Sequence, residues 1–227
     1  LQRGFCYLNL GQELNAVMSI RKAYQLTSEC LKQFPTFIPI KKTSGVLQVM
    51  VGSVPDKYQW FMSLLGMKGS VDKGQRQLSE LKNSPSSLNT EAGILYYTIQ
   101  GFINQQFSEA AHGINATLKE QPENRLLLFI GVNMLVKDAR GEEALALIHQ
   151  IESQKEGLPM HYIDYLKGEV LLQRGDYQLS IQAFHKFITN YPSVSFKKDS
   201  YFKISLAYWL LNDSRQAKSY YEKAKIS

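Results

Sequence analysis

The sequence predicts an all-α protein, a right-handed α-solenoid of stacked antiparallel helix hairpins, from three observations. Its long segments carry apolar residues at the helical period, and no run keeps the period-two alternation that a half-buried strand requires. Small residues four places before a large one recur as Gly74 with Leu78, Ala110 with Ile114, Ala144 with Ile148, Ser180 with Phe184 and Ala217 with Tyr221, at successive intervals of 36, 34, 36 and 37 residues. A near-fixed period of this size marks stacked supersecondary units. Breakers fall where a hairpin needs them: the segment 162–192 turns at Gly175-Asp176-Tyr177 and stops at Tyr191-Pro192, because glycine with aspartate makes the turn and proline cannot continue a helix.

Taken in order, helices are expected over residues 1–9, 12–33, 36–51, 55–66 and 70–82. Gly11 turns the first hairpin, whose second helix carries the same step in Ala16 and Ile20. Pro35 and Pro55 sit at helix starts, where a missing N–H costs nothing. Ala16 precedes Gly74 by 58 residues, so an extra element lies between them. After the turn Asn83-Ser84-Pro85-Ser86-Ser87 come eight helices as four hairpins, at about 91–124, 125–160, 161–194 and 198–227. That turn is too short for a flexible linker. Residues 1–90, a basic part with one hairpin and extra helices, and residues 91–227 are therefore expected to stack as one continuous solenoid.

The unit at 162–192 also carries Gly168 on its first helix and Phe184 and Phe187 on its second. These features resemble the tetratricopeptide repeat, a helix pair of about 34 residues with this small, aromatic and terminal-proline pattern. The resemblance covers residues 91–227 as four units. Thr98 stands where the first helix of its unit usually has glycine, and no unit has the family's tryptophan. Residues 52–78, with Gly52-Ser53-Val54-Pro55, Leu64-Leu65-Gly66-Met67-Lys68-Gly69-Ser70 and Lys73-Gly74, are similar to a signature of a tetratricopeptide family that includes fungal inclusion-body clearance proteins.

A length of 227 residues suffices for one large or two small domains, and 44% hydrophobic with 20% charged residues is the balance of a folded chain. The longest apolar run, 126–136, is interrupted by Asn133 and too short to span a bilayer, so no transmembrane segment is expected. The net charge of +6 belongs to the first part: residues 1–90 hold 11 basic and 5 acidic side chains, residues 91–227 hold 15 of each. Such an excess could draw nucleic acid or an anionic surface, which is the alternative reading of function. Only Arg21-Lys22 and Lys41-Lys42 are adjacent there, without a reading motif, so nucleic acid is disfavoured. Cys6 and Cys30 lack metal-site spacing and lie roughly 20 Å apart along the first hairpin, which leaves them as free, buried thiols. The chain opens at Leu1 with neither methionine nor leader, as a processed or trimmed start would, and its compartment is not legible.

The residues that could carry chemistry do not converge. His112, His149, His161 and His185 are spread over three repeats without zinc-ligand spacing and read as surface or satisfied core residues. Gly66-Met67-Lys68-Gly69 lacks the Gly-Lys-Ser/Thr ending of a phosphate loop, and no nucleophile elbow is present. Glu142-Glu143 fall in the first turn of a helix, where they offset its dipole. No catalytic, cofactor-binding or metal site is assigned, no cofactor is expected, and the chain is read as not an enzyme. An accessory role beside an enzyme would need further domains.

The resemblance implies a binding face instead. In tetratricopeptide repeats the first helix of each pair lines a concave groove at positions three or four residues apart. Those positions fall on Leu95, Ile99 and Phe102, on Phe129, Asn133 and Val136, on Tyr162, Tyr165, Glu169 and Leu172, and on Phe202, Leu206 and Trp209. Such a groove is aromatic and suits a protein or peptide partner. Aromatics at helical spacing equally describe a core, and the sequence leaves both placements open. The lysine-and-asparagine clamp that holds acidic chaperone tails would put cationic and amide donors on this line. Only Asn133 is of that type, beside Leu95, Phe129, Tyr165 and Phe202, so chaperone C-terminal tails are disfavoured. The expected function is a non-catalytic scaffold for a protein or peptide partner.

Overall fold

Thirteen helices and no strand make up residues 1–226, which the computed structural model describes. They divide into two units, Leu1–Glu109 and the part from Ala110 onward. In the first, α1 (Gln2–Asn9) and α2 (Glu13–Gln33) form a hairpin about Gly11, whose φ of 67° is the left-handed conformation glycine adopts without strain. Gly4 lets the two helices close, since a Cβ there would lie 2.7 Å from Ile20 Cγ1. The helix α3 (Ile40–Gly52) starts later than residue 36: Pro39 takes the N-cap, where its absent N–H is not needed, and residues 34–38 make turns instead.

The partner of α3 is not the next helix but α5 (Val71–Lys82), which crosses it glycine to glycine at Gly45 and Gly74. The extra element is α4 (Asp56–Leu64), inserted between them, with no buried residue of its own. Its stem closes where Gly52 and Gly69 meet. A Cβ on Gly52 would fall 2.8 Å from the Val71 nitrogen, and one on Gly69 2.6 Å from the Gln48 carbonyl oxygen. Two side chains of α2 hold the insertion down: Arg21 Nε donates to the Leu65 carbonyl at 2.9 Å, and the Tyr24 hydroxyl donates to the Lys68 carbonyl at 2.8 Å. α6 (Asn89–Phe102) then packs on α5. Cys6 is exposed and Cys30 half-buried, so the thiols are free but not buried: α1 buries only Gly4, and at eight residues it ends short of the Cys30 end of α2.

In sequence, α7 (Phe107–Glu120) runs across the division. The second unit continues with hairpins α8 (Arg125–Lys137) with α9 (Gly141–Ser153), α10 (Tyr162–Arg174) with α11 (Tyr177–Asn190), and α12 (Lys197–Leu210) with α13 (Ser214–Ile226). Ala110, Ala144 and Ser180 are fully buried, as are Ile114, Ile148 and Phe184 four residues on. Ser180 Oγ donates to the Gly168 carbonyl at 2.8 Å, and in the last hairpin Ser205 Oγ donates to the Ala217 carbonyl at 2.7 Å. Five residues before each small residue the chain is left-handed: Gln105 (φ 58°), Ala139 (57°), Gly175 (88°) and Asn212 (60°). The turn is a conserved geometry within the chain that only one of these four residues announces as glycine. The apolar run 126–136 is the central helix α8, buried on nearly every side, and no helix is long and apolar enough to cross a membrane.

Candidate functional site

The candidate residues sit on α6 in the first unit and on α8, α10 and α12 in the second. On α6, Leu95 and Ile99 are half-buried and Phe102 is 50% exposed. On the same helix Tyr96 and Tyr97 gather at Lys82, whose Nζ lies 5.3 and 5.2 Å from their ring centroids. Gln100 is buried, its Oε1 accepting from Gln75 Nε2 at 2.9 Å and Asn104 Nδ2 at 2.7 Å.

In the second unit Phe129, Tyr162 and Tyr165 come together. Tyr162 lies 6.2 Å from Phe129 and stacks at 5.1 Å on Tyr165. Phe184 and Phe187 of α11 and Phe196, left-handed at the start of α12, complete the cluster at 5.3–5.7 Å from Tyr165. Tyr165 is buried, and its hydroxyl works between helices: it donates to Asp199 Oδ2 at 2.7 Å and accepts from Lys203 Nζ at 2.6 Å. Lys203 also pairs with Glu169 and, at 2.7 Å, with Asp199. Burial, then the bond to Asp199 and the nearby Glu169, raise the Tyr165 phenol far above its ordinary value. Burial with Glu169, Tyr191 and Asp199 pushes Tyr162 up to about 12. Both phenols are neutral at physiological pH.

This network fixes the register of α12. Asp199 and Lys203 face α10 through the Tyr165 hydroxyl and Glu169. Phe202, Leu206 and Trp209 are exposed by 48, 37 and 63%. With Tyr221, Ala217 and Lys218 of α13 they line an open concavity of about 370 Å³. Asn133 and Val136 are buried, and Asn133 Nδ2 donates to its own helix at the Phe129 carbonyl, 2.8 Å away. In the second unit Tyr165, Asn133 and Val136 are buried, Phe129, Tyr162, Glu169 and Leu172 are half-buried, and the exposed candidates are those on α12; in the first unit Phe102 is exposed.

Sequence reasoning missed Phe196, Asp199 and Lys203. The spacing of Asp199 and Lys203, four apart, was a signal, but such pairs are also ordinary on solvated faces. It also missed a second concavity of about 430 Å³ on the other side of α10, where α9, α10 and α11 meet. There Glu152 accepts from Lys167 at 2.8 and 3.0 Å, and Asp164 pairs with Lys186 at 2.8 Å, over an apolar floor that includes Leu145 and Leu171. Although burial opposes it, Lys167 holds the Glu152 carboxyl below its ordinary range. Among the described residues no cluster of three histidine, cysteine or acidic side chains could hold a metal ion.

The tetratricopeptide-repeat family profiles match residues 163–193 and 198–225. No curated protein matches the chain. Among solved structures it is similar to MamA MSR-1 C2, at 12% identity over 83% of this chain and 94% of that one, with a TM-score of 0.60. It is also similar to MamA 41-end from Desulfovibrio magneticus RS-1, at 16% identity over 76% and 96% of the two chains, with a TM-score of 0.59.

Proposed function

Because the chain is a tetratricopeptide-repeat protein, we propose that it is a non-catalytic scaffold that binds a protein or peptide partner on the first-helix faces of its repeats, with Phe202, Leu206 and Trp209 as the anchors. Proteins of this family are generally scaffolds for other proteins, since stacked hairpins leave an extended surface that loops and pockets do not interrupt. The observation that carries the reading is the α12 set: three large apolar side chains, 37–63% exposed, held on one well-packed helix beside a concavity. Rigid, exposed aromatics give contact area at low entropic cost, which is how interface hot spots are built. Half-buried Phe129 and Tyr162 extend the same reading to α8 and α10.

The test is capture of the partner from the source lysate by the immobilised chain, compared with the Phe202→Ala/Trp209→Ala variant. Binding should fall by about 1–3 kcal/mol per anchor while thermal unfolding is unchanged. Equal capture by a variant that melts normally would refute the assignment. Because these anchors are apolar, this binding should also depend little on salt.

A further inference from the structure

The inserted helix α4 turns its apolar side outward. Lys57, Trp60, Phe61 and Leu64 follow at i, i+3, i+4 and i+7, which is one face of a helix, and the three apolar members are exposed by 67, 39 and 73%. Tyr58, at the edge of that face, is exposed as well. The opposite side carries Gln59 and Met62, both half-buried. Gln59 Nε2 donates to the Val54 carbonyl at 2.6 Å and to the Val51 carbonyl, at the end of α3, at 3.4 Å. A helix placed only for packing would set its large apolar side chains against the core and its glutamine in water. On α4 polar ties do the holding, from Gln59 and from Arg21 and Tyr24 of α2, and the aromatic face is left for something else. A contiguous exposed apolar face of this kind marks an interaction surface.

Charge selects the occupant. Lys57 shares the face itself, its Nζ 4.9 Å from the centroid of the Tyr58 ring, and exposed Lys68 follows on the way back to Gly69. Neither has a carboxylate partner among the described residues, whereas Lys41 and Lys42 of the same unit pair with Glu80 and Glu91. Asp56, the one acidic residue of the insertion, lies in the first turn of α4, where it offsets the helix dipole. Within a protein interface the Lys57 ammonium would have to be stripped of water, and lysine is depleted there for that reason. At an anionic bilayer it keeps its hydration: the alkyl stem lies along the apolar surface while the head reaches the lipid phosphates. Tryptophan and tyrosine suit the same boundary, with the ring among acyl chains and the polar tip toward water. The 11 basic against 5 acidic side chains of residues 1–90 add a longer-range attraction of the same sign.

We propose that α4 is a peripheral membrane anchor, lying in the headgroup region of an anionic bilayer with Trp60, Phe61 and Leu64 immersed and Lys57 and Lys68 at lipid phosphates. With nine residues it lies in the plane of the surface and does not cross the hydrocarbon. The anchor belongs to the first unit, whereas the partner anchors proposed on α12 belong to the second, so the chain would hold its partner at a membrane. Single-stranded nucleic acid also uses rings and lysines, but it is tracked by a basic groove and has no use for the exposed Leu64.

The probe is a vesicle of equimolar phosphatidylserine and phosphatidylcholine, mixed with the whole chain and separated by flotation. The chain should float with these vesicles, less so as salt rises, and only weakly with phosphatidylcholine alone. The Trp60→Ser/Leu64→Ser variant changes two exposed side chains; it should keep its circular dichroism spectrum and melting temperature and bind at least about tenfold more weakly. Lys57→Glu/Lys68→Glu should weaken binding to the mixed vesicles by about as much. Brominated acyl chains should quench the fluorescence of the bound chain, and Trp60→Phe, whose remaining tryptophan is Trp209, should bind without that quenching. The proposal is overturned if the chain does not float, if it binds phosphatidylcholine alone as tightly, or if the serine variant binds equally. It is also overturned if quenching persists in Trp60→Phe, or if oligothymidylate binds the chain as tightly and loses affinity in the same variants.

Discussion

Truncating Tyr165 to alanine removes a side chain that is 5% exposed, touches Tyr162, Phe184, Phe187 and Phe196, and ends between Asp199 and Lys203. A buried aromatic cut to alanine costs about 3–5 kcal/mol. At about 2–4 °C per kcal/mol for a chain of this size, the melting temperature should fall by about 6–20 °C. Tyr165→Phe separates packing from the hydroxyl. It keeps the ring and leaves Lys203 paired with Glu169 and Asp199, so its cost should be about 1 kcal/mol. The assay is urea unfolding followed by circular dichroism, with Trp209→Ala as the exposed control, expected to change stability by less than about 0.5 kcal/mol. If Tyr165→Ala stays within about 1 kcal/mol of the unmodified protein, the ring is not a core residue and the register of α12 against α10 is wrong.

Other outcomes follow from single contacts. Gly168→Ala places a methyl 2.8–2.9 Å from three atoms of the Phe184 ring and should cost about 1–3 kcal/mol by thermal melt, whereas an unchanged melt would show that the helices can part freely. Ala139→Gly relieves a left-handed alanine and should stabilise by up to about 1 kcal/mol in the same assay, net of the extra freedom glycine has when unfolded. Burial and the nearby Lys223 lower the His185 pKa in the folded protein. The unfolded chain therefore takes up a proton first as pH falls, and this contribution to stability, full above the ordinary value near 6.5, is lost progressively below it. Urea midpoints at about pH 7.5 and 5 should differ less for His185→Gln than for the unmodified protein.

The helices are readable because their breakers are strong and their small residues are periodic; the 58-residue gap from Ala16 to Gly74 announces the inserted α4. The facing of α12 was less readable. Apolar and polar residues alternate around that helix, with Phe202 next to Lys203, and only the tie of Lys203 to Tyr165 and Glu169 decides which side meets α10. Exposure along the candidate line was not legible for the same reason: its α12 members are exposed, while Tyr165 and Asn133 are buried in packing. The left-handed turns at Gln105, Ala139 and Asn212 were hidden because tertiary packing imposes on ordinary residues a conformation that only Gly175 advertises.

The stem at Gly52 and Gly69 has a consequence for how this chain can vary. The two sides of the stem touch backbone to backbone, and α4 itself has no buried residue, so the pairing of α3 with α5 does not depend on the side chains of α4. The sixteen-residue passage through α4, residues 53–68, is then closed by its own ends, and lengthening it twofold would add only about 0.6 kcal/mol of closure entropy. Such a port can accept foreign sequence: a tag, a recognition peptide or a small domain placed at 56–64 would be carried on a fixed mount, its orientation set by the stem and its content free to change.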